Sequence, residues 1–178
     1  GESALVMGCG PIGLVIALTA LAGGCSKVFI ADIVSKKLEM CKNYNNLIPI
    51  DLNKENPAEI VKKNTNNWGA NIIFEASGAT KAYDVIFDSI CPAGKVVIVG
   101  NPMNSIPMDF ATLLTKEIEI KTVFRYAHQY ERAINLLSSN KIDVKPMITD
   151  TVAFDDSIKA FERAAKNLPE DVKIQIQL

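Results

Sequence analysis

The sequence predicts an α/β protein whose core is a doubly wound parallel sheet of about six strands with helices on both faces. Short apolar runs alternate with helix-length segments along most of the chain, and this order is typical of parallel strands joined by crossover helices. In addition, 48% of the 178 residues are apolar, so the chain can bury one substantial core. We therefore expect one main domain.

The strands and helices of that domain are predicted from their apolar pattern and their breakers. The predicted strands cover residues 4–7, 27–31, 47–50, 71–75, 95–99 and 118–123. The predicted helices cover residues 11–22, 35–42, 57–65, 80–90, 109–116 and 129–138. Pro11 and Pro57 suit the first turn of a helix, where the missing N–H of proline costs no helical hydrogen bond.

A shorter tail follows the main domain. The alternating pattern ends near a predicted boundary between residues 1–143, the nucleotide-binding domain, and residues 144–178, a return segment. The tail is predicted to hold one more helix, with Asp155 or Asp156 as its N-cap, and a terminal strand at residues 173–178 that alternates polar and apolar side chains.

Charge and hydropathy exclude several classes of partner. Nineteen basic and twenty acidic residues leave a net charge of -1, so the chain has no basic footprint for nucleic acid or an anionic membrane. Its longest nearly unbroken apolar run, residues 14–22, is about half the length that a bilayer crossing needs. We expect small molecules or other proteins as partners.

The cysteines and the first residues bear on location and completeness. The four cysteines form no C-x-x-C pair and have no histidine nearby, so we predict no metal site and expect reduced thiols in the cytoplasm. The chain starts at Gly1 without an initiator Met or a signal-peptide pattern and runs straight into an apolar strand. We expect it to be part of a longer protein.

A glycine motif stands between the first predicted strand and the first helix. Gly8-Cys9-Gly10-Pro11-Ile12-Gly13 matches G-x-G-x-x-G, in which the glycines allow a tight turn, close approach of a pyrophosphate and close helix–strand packing. The helix N-terminus then offers free N–H donors to the phosphates. A merely structural turn is the alternative when this motif is considered alone.

An acidic residue favours the dinucleotide interpretation. Asp32 ends the second predicted strand, about 20 residues past the motif, where a carboxylate binds the adenosine ribose hydroxyls. Its charge repels a 2′-phosphate, and no Arg follows within residues 33–35, so we predict NAD rather than NADP. Lys37 is a candidate for the adenosine or its phosphates, and the alternative is a solvated helix lysine.

Two later strand ends also carry glycine. Ser77-Gly78 follows the fourth predicted strand and Val99-Gly100 the fifth. Each glycine alone is compatible with an ordinary turn, but ligands in such sheets bind at the carboxyl ends of the strands. Three strand ends of this kind predict a dinucleotide crevice.

A further segment, Thr122-Val123-Phe124-Arg125-Tyr126-Ala127, carries a family resemblance together with the glycine motif and Asp32. These residues resemble the sorbitol, xylitol and L-iditol dehydrogenases, which are zinc-dependent members of the medium-chain alcohol dehydrogenase family. The resemblance covers almost the whole chain, since residues 143–149 are similar to that family's return from the cofactor domain into the catalytic domain. It implies a Rossmann domain.

The resemblance also implies residue roles. Gly10, Pro11 and Ile12 meet the pyrophosphate, and Asp32 and Lys37 meet the adenosine. The residues implied at the nicotinamide end are Val99, Gly100, Val123 and Phe124. Arg125 and Tyr126 are implied to face the substrate cleft, with a surface ion pair and simple packing as their respective alternatives. The lone His128 is expected to be an exposed or capping residue.

In that family, a zinc ion held by an amino-terminal domain polarises the alcohol so that hydride can pass to NAD. The resemblance therefore implies that this chain is the NAD-binding half of a polyol or secondary alcohol dehydrogenase and is inactive alone. It also implies a homodimer or homotetramer that forms through the edge strand at residues 118–123.

Several alternatives stay open. One is a non-catalytic NAD-binding or redox-sensing module. Another is a polyol phosphate dehydrogenase, because residues 101–103 depart from many relatives and resemble sugar-phosphate members of the family. An S-adenosylmethionine-dependent methyltransferase is disfavoured by Gly13, and a zinc-free reductase branch that selects NADP is disfavoured by Asp32.

Overall fold

The computed structural model describes residues 1–178 and has a six-stranded parallel sheet as its centre. The strand order is β3-β2-β1-β4-β5-β6, the doubly wound order in which the chain reverses direction across the sheet after β3. The strands are β1 (Ser3–Met7), β2 (Lys27–Asp32), β3 (Leu47–Asp51), β4 (Ala70–Glu75), β5 (Ile90–Ile98) and β6 (Glu119–Thr122). The predicted fold class is confirmed.

A helix follows each of these strands; the first four bury side chains against the two faces of the sheet, whereas the last two bury none. The helices are α1 (Pro11–Ala22), α2 (Ser35–Leu38), α3 (Pro57–Asn64), α4 (Tyr83–Ser89), α5 (Phe110–Thr115) and α6 (Tyr130–Ser138). Pro11 and Pro57 both lie in the first turn of their helices, as predicted. The crossover helices place every turn from a strand to a helix at one edge of the sheet, where a ligand site is expected.

Some element bounds differ from the prediction. The predicted helix at residues 35–42 is α only to Leu38 and continues as a 3-10 turn over Glu39–Asn43. Strand β5 begins at Ile90, five residues before the predicted start, because its pairing with β4 shifts register between Ala70 and Ile72. Such irregularities in pairing carry no periodic sequence signal.

The tail is a small parallel βαβ unit rather than only a helix and a strand. It consists of β7 (Ile148–Ala153), α7 (Ser157–Ala165) and β8 (Lys173–Gln177). Strand β7 was absent from the prediction. The predicted cap is also wrong, since Asp156 stands at the N-cap position but accepts no backbone N–H, and its carboxylate instead pairs with Lys159 at 2.7 Å.

The core lies on both faces of the main sheet. Alternate residues of β1 point to opposite faces: Leu5 and Met7 belong to one buried cluster, Ala4 and Val6 to the other. Met147, just before β7, is buried in the second cluster and attaches the tail to the core. None of the helices has the length and apolar character that a membrane span requires.

Candidate functional site

A cleft with a volume of about 900 Å³ opens at the carboxyl ends of the central strands. It lies where the strand order reverses between β1 and β4, the position at which doubly wound sheets bind ligands. Five of the residues singled out from the sequence line it: Gly8, Gly10, Asp32, Lys37 and Ser77. They end or follow three different strands, β1, β2 and β4, whose carboxyl ends the parallel topology brings together.

The glycine loop between β1 and α1 is fixed by close backbone packing. Gly8 has φ of +106°, a conformation that other residues rarely adopt. A Cβ on Gly13 would lie 1.8 Å from the carbonyl oxygen of Gly8, so only glycine lets the helix approach the loop this closely. These two glycines are required by the architecture itself.

Gly10 differs from its two neighbours. It lines the cleft, and no heavy atom lies within 4 Å of the position that its Cβ would take. It is also the N-cap of α1, and no side chain caps that helix. The open space and the uncapped N-terminus of a twelve-residue helix fit an anionic group such as a pyrophosphate.

Asp32 lies at the carboxyl end of β2 and is half-buried at the cleft. One carboxyl oxygen accepts a hydrogen bond from the backbone N–H of Cys9 at 2.7 Å, and the other accepts one from the N–H of Val34 at 2.8 Å. A carboxylate has about four lone-pair sites. The carboxylate of Asp32 therefore keeps acceptor capacity for ribose hydroxyls.

Lys37 and Ser77 line this cleft from different elements, α2 and the turn after β4. Lys37 lies on α2, and its ammonium group forms no ion pair within the chain. Ser77 is exposed, and its hydroxyl donates a hydrogen bond to the Glu75 carboxyl group. Lys37 thus provides a cation without an ion-pair partner in the same cleft as the carboxylate of Asp32.

The turn after β4 is built around Glu75, a fully buried carboxyl group. It accepts hydrogen bonds from the backbone N–H groups of Ser77 at 2.8 Å and Gly78 at 3.1 Å. A Cβ on Gly100 would lie 2.5 Å from a Glu75 carboxyl oxygen and 2.3 Å from the Gly78 nitrogen. Gly78 and Gly100 therefore allow the turns after β4 and β5 to pack on each other. This is a structural role, which the sequence alone could not distinguish from a role in cofactor binding.

The residues implied at the nicotinamide end lie outside the 900 Å³ cleft, at the next two strand ends. Val99 donates its N–H to the Glu75 carbonyl at 2.8 Å, and Val123 donates its N–H to the Ile98 carbonyl at 2.9 Å. Val123 and Phe124 are exposed, Phe124 to 81%. Pro11 and Ile12 are exposed as well, at the start of α1 and outside the cleft lining.

The two substrate-cleft candidates follow β6 on the exposed surface. The Arg125 guanidinium lies 5.2 Å from the centre of the Phe124 ring and forms no salt bridge, so the surface ion-pair alternative does not apply. Tyr126 packs edge-on against Tyr130, with 3.1 Å between their hydroxyl oxygens. His128 is exposed with φ of +55° and caps no helix.

A polar network beside Asp32 was not predicted from the sequence. Asp51 ends β3 and is paired in register with Asp32 of β2. Its carboxylate accepts a hydrogen bond from the Ser35 hydroxyl at 2.6 Å and lies 2.8 Å from the Lys54 ammonium. Lys54 and these hydrogen bonds lower the pKa of Asp51, so it is anionic at neutral pH. Its only sequence signal was an acidic residue that ends an apolar strand.

All four cysteines are free thiols. The Cys9 sulfur lies 3.9 Å from that of Cys41 and 3.4 Å from the Lys37 carbonyl oxygen. The hydrogen bond with Cys41 and burial both raise the pKa of Cys9, so it remains a thiol. No group of three or more His, Cys, Asp or Glu side chains in this chain is arranged to hold a metal ion.

Comparison with known proteins agrees with this geometry. The zinc-binding dehydrogenase family profile matches residues 11–139. A Rhizobium meliloti (strain 1021) protein provisionally named as a D-xylulose reductase is 46% identical over 178 residues, which are all of this chain and 51% of that protein. The sorbitol dehydrogenase of Ovis aries is 32% identical over 98% of this chain and 50% of its own length.

Solved structures extend this likeness to the fold. The alcohol dehydrogenase TADH from Thermus sp. ATN1 superposes with a TM-score of 0.89 at 26% identity, covering 100% of this chain and 51% of that chain. The chain therefore spans about half the length of the curated relatives that it matches.

Proposed function

The chain belongs to the zinc-binding dehydrogenase family, and from this premise we propose that it is the NAD-binding half of an enzyme that transfers hydride between a polyol or secondary alcohol and NAD. The curated relatives carry names of polyol-converting enzymes, D-xylulose reductase and sorbitol dehydrogenase. They support a polyol as the substrate class.

One observation carries the proposal: the glycine loop and Asp32 meet at the cleft. Gly10 leaves space beside an uncapped helix N-terminus, and Asp32 lies next to that loop with acceptor capacity to spare. The first fits a pyrophosphate, and the second fits the hydroxyls of the ribose that is attached to it. In a dinucleotide the adenosine ribose is bonded directly to the pyrophosphate. In this chain the Asp32 carboxylate is likewise close to the glycine loop, with a 2.7 Å hydrogen bond from Cys9.

The residues of this chain bind and orient the cofactor. We assign the pyrophosphate to Gly8, Gly10 and the first turn of α1, and the adenosine to Asp32 and Lys37. The half-buried Val99 and Gly100 and the exposed Val123 and Phe124, at the next two strand ends, would hold the nicotinamide end. When bound there, NAD supplies the hydride acceptor, and the protein contributes position and electrostatics.

The family name implies a zinc ion, and the residues of this chain do not fit one. No cluster of three or more potential ligands is present, and the only histidine, His128, is an exposed loop residue. We therefore assign the metal and the chemical step to a part of the protein outside these 178 residues, and we derive no step through zinc.

The remaining surface suits contact with such a part. Arg125 and Tyr126 are exposed next to the strand ends that we assign to the nicotinamide, which supports a place for them at the substrate cleft. We assign residues 1–143 to the nucleotide-binding domain and residues 144–178 to the segment that returns to the catalytic domain. The four free thiols, three of them buried, support a cytoplasmic location.

Activity assays test this division of labour. The chain alone, supplied with NAD, zinc and sorbitol or xylitol, should show no oxidation, while the longer protein that contains it should oxidise a polyol and lose activity with a chelator. Turnover by the isolated chain would show that the active site had been assigned to the wrong part. A longer protein that binds NAD but turns over no alcohol would favour a non-catalytic binding module.

We also propose that the chain self-associates through β6. This strand stands at the open edge of the sheet with unpaired backbone groups on its outer side. Phe110 and Leu114 on the preceding helix are exposed to 74% and 79% and add apolar surface to the segment that leads into β6. Sedimentation of the chain as a monomer at all concentrations would contradict this.

A further inference from the structure

Two carboxylates, rather than one, end neighbouring strands at the adenosine side of the cleft. Asp32 of β2 and Asp51 of β3 are register partners. Asp32 lines the cleft, whereas Asp51 lies behind it with 8% of its surface exposed. A buried carboxylate is costly unless it is paired, and the partners that satisfy Asp51 identify what it controls.

Those partners are the groups that a phosphate would use. Ser35 is the only hydroxyl residue in the three-residue segment after Asp32, and its hydroxyl donates a 2.6 Å hydrogen bond to the Asp51 carboxylate. Lys54 lies on the rim of the cleft, and its ammonium group is 2.8 Å from the same carboxylate. Asp51 thus occupies one hydroxyl donor and neutralises one cation of the cleft that Asp32 lines.

A third partner closes the network around the same segment. The backbone and side-chain nitrogens of Asn53 both donate to Asp51 at 3.1 Å. The side-chain amide of Asn53 also donates to the Ile33 carbonyl. The carboxylate of Asp51 therefore holds the β3 turn against the loop that follows Asp32.

We propose that Asp51 is a specificity-determining residue that acts against the 2′-phosphate of NADP by holding Ser35 and Lys54 away from it. The inference rests on the proposed function, in which Asp32 binds the ribose whose 2′-hydroxyl carries that phosphate in NADP. A 2′-phosphate there would meet the negative charge of two carboxylates, with the hydroxyl of Ser35 and the cation of Lys54 already engaged by Asp51. Selection of NAD is then a property of two strand ends.

The test compares the Kd values of NADH and NADPH for the full chain and for Asp51→Asn, measured by calorimetry at low and moderate salt. Removing the charge frees Lys54 and weakens the hydrogen bond that holds the Ser35 hydroxyl, so NADPH should bind about tenfold more tightly while the Kd of NADH changes little. The gain should shrink as salt is added. The gain in NADPH affinity should also be smaller in the double variant Asp51→Asn/Lys54→Met, because the freed cation is then missing.

Matched controls distinguish a specific effect of Asp51 on NADPH binding from a general loss of negative charge and from unfolding. Asp88→Asn removes the same charge from an exposed position on α4 outside the cleft and should leave the NADPH/NADH ratio unchanged. Asp51→Ser is a second neutral variant that still accepts a hydrogen bond, and circular dichroism checks that each variant is folded.

The two proposals fail in different ways. If the unaltered chain binds NADH but the folded Asp51 variants bind NADPH no better than the chain itself, or Asp88→Asn gains as much, Asp51 does not determine specificity and the proposed function stands. If the unaltered chain binds neither nucleotide, both proposals are overturned.

Discussion

The carboxyl group of Asp32 accepts a 2.7 Å hydrogen bond from the backbone N–H of Cys9, at the centre of the glycine loop. The acid at the end of β2 therefore also holds the loop after β1. Asp32 was expected to contact only a ribose, and it also shapes the loop that we propose to bind the pyrophosphate.

Replacing Asp32 should consequently affect both ends of the site. We expect Asp32→Ala to weaken NADH binding by roughly 10- to 100-fold, because it removes charge-assisted hydrogen bonds. The preference for NADH over NADPH should also loosen. Titration calorimetry with both nucleotides measures this, with Asp32→Asn as the isosteric control that retains one acceptor. Unchanged affinity and selectivity in Asp32→Ala would remove this residue from the site.

Two glycines of one motif should behave differently when each is replaced by alanine. Gly13→Ala places a Cβ 1.8 Å from the Gly8 carbonyl oxygen, so we expect the free energy of unfolding to fall by about 1–3 kcal/mol. Gly10→Ala meets no atom within 4 Å and should change that free energy by less than about 1 kcal/mol. Urea denaturation measures both.

NADH binding then completes the comparison. The Gly10→Ala methyl group would point into open space at the cleft, so this stable variant should bind NADH more weakly than the unaltered chain. A Gly10→Ala variant with full stability and full NADH affinity would mean that the glycine loop is only a structural turn.

The ion pair between Asp51 and Lys54 should make the stability of the chain depend on pH in acid. Its folded-state pKa is lowered by Lys54 and by hydrogen bonds, so its contribution to stability is fully present above the unfolded value of about 3.9. That contribution is lost as the pH falls from there through the lower folded-state pKa. The stability advantage of the chain over Asp51→Asn should therefore be constant near neutral pH and decline below about pH 4. Urea midpoints measured across this range would contradict it if the difference stayed constant in acid.

One arginine should determine the stability of the tail. Arg163 of α7 pairs through its guanidinium with Asp171, at 2.8 Å from its Nε, and also with Asp150 of β7. Arg163→Met should raise the rate of proteolysis within residues 144–178. Lys159→Met is the matched control, because Lys159 is 80% exposed and pairs only with Asp156 on the same segment. Equal protease sensitivity of the two variants would show that the Arg163 pairs do not hold the tail.

Much of the site could be predicted because its signals are local. The glycine motif is a contiguous segment, Asp32 follows at a fixed spacing, and apolar strands alternate with helices. These features fix the fold class and one side of the cleft. A similarly local rule, that proline is favoured in the first turn of a helix, predicts the starts of α1 and α3.

The features that could not be predicted depend on contacts between distant segments. Asp51 acquires its role from register pairing with Asp32 and from contact with Ser35, sixteen residues away. Glu75 is tolerated in the core only because the turn after β4 supplies N–H donors. Strand β7 is half-exposed and pairs with one other strand, so its polar residues weakened the apolar signal that strand prediction needs.

Titration of the chain with NADH, beside NADPH and S-adenosylmethionine at equal concentrations, tests the central claim most directly. We predict saturable binding of NADH to one site, much weaker binding of NADPH, and no heat from S-adenosylmethionine. Preferential binding of S-adenosylmethionine, or of NADPH over NADH, would contradict the assignment of the cleft to NAD.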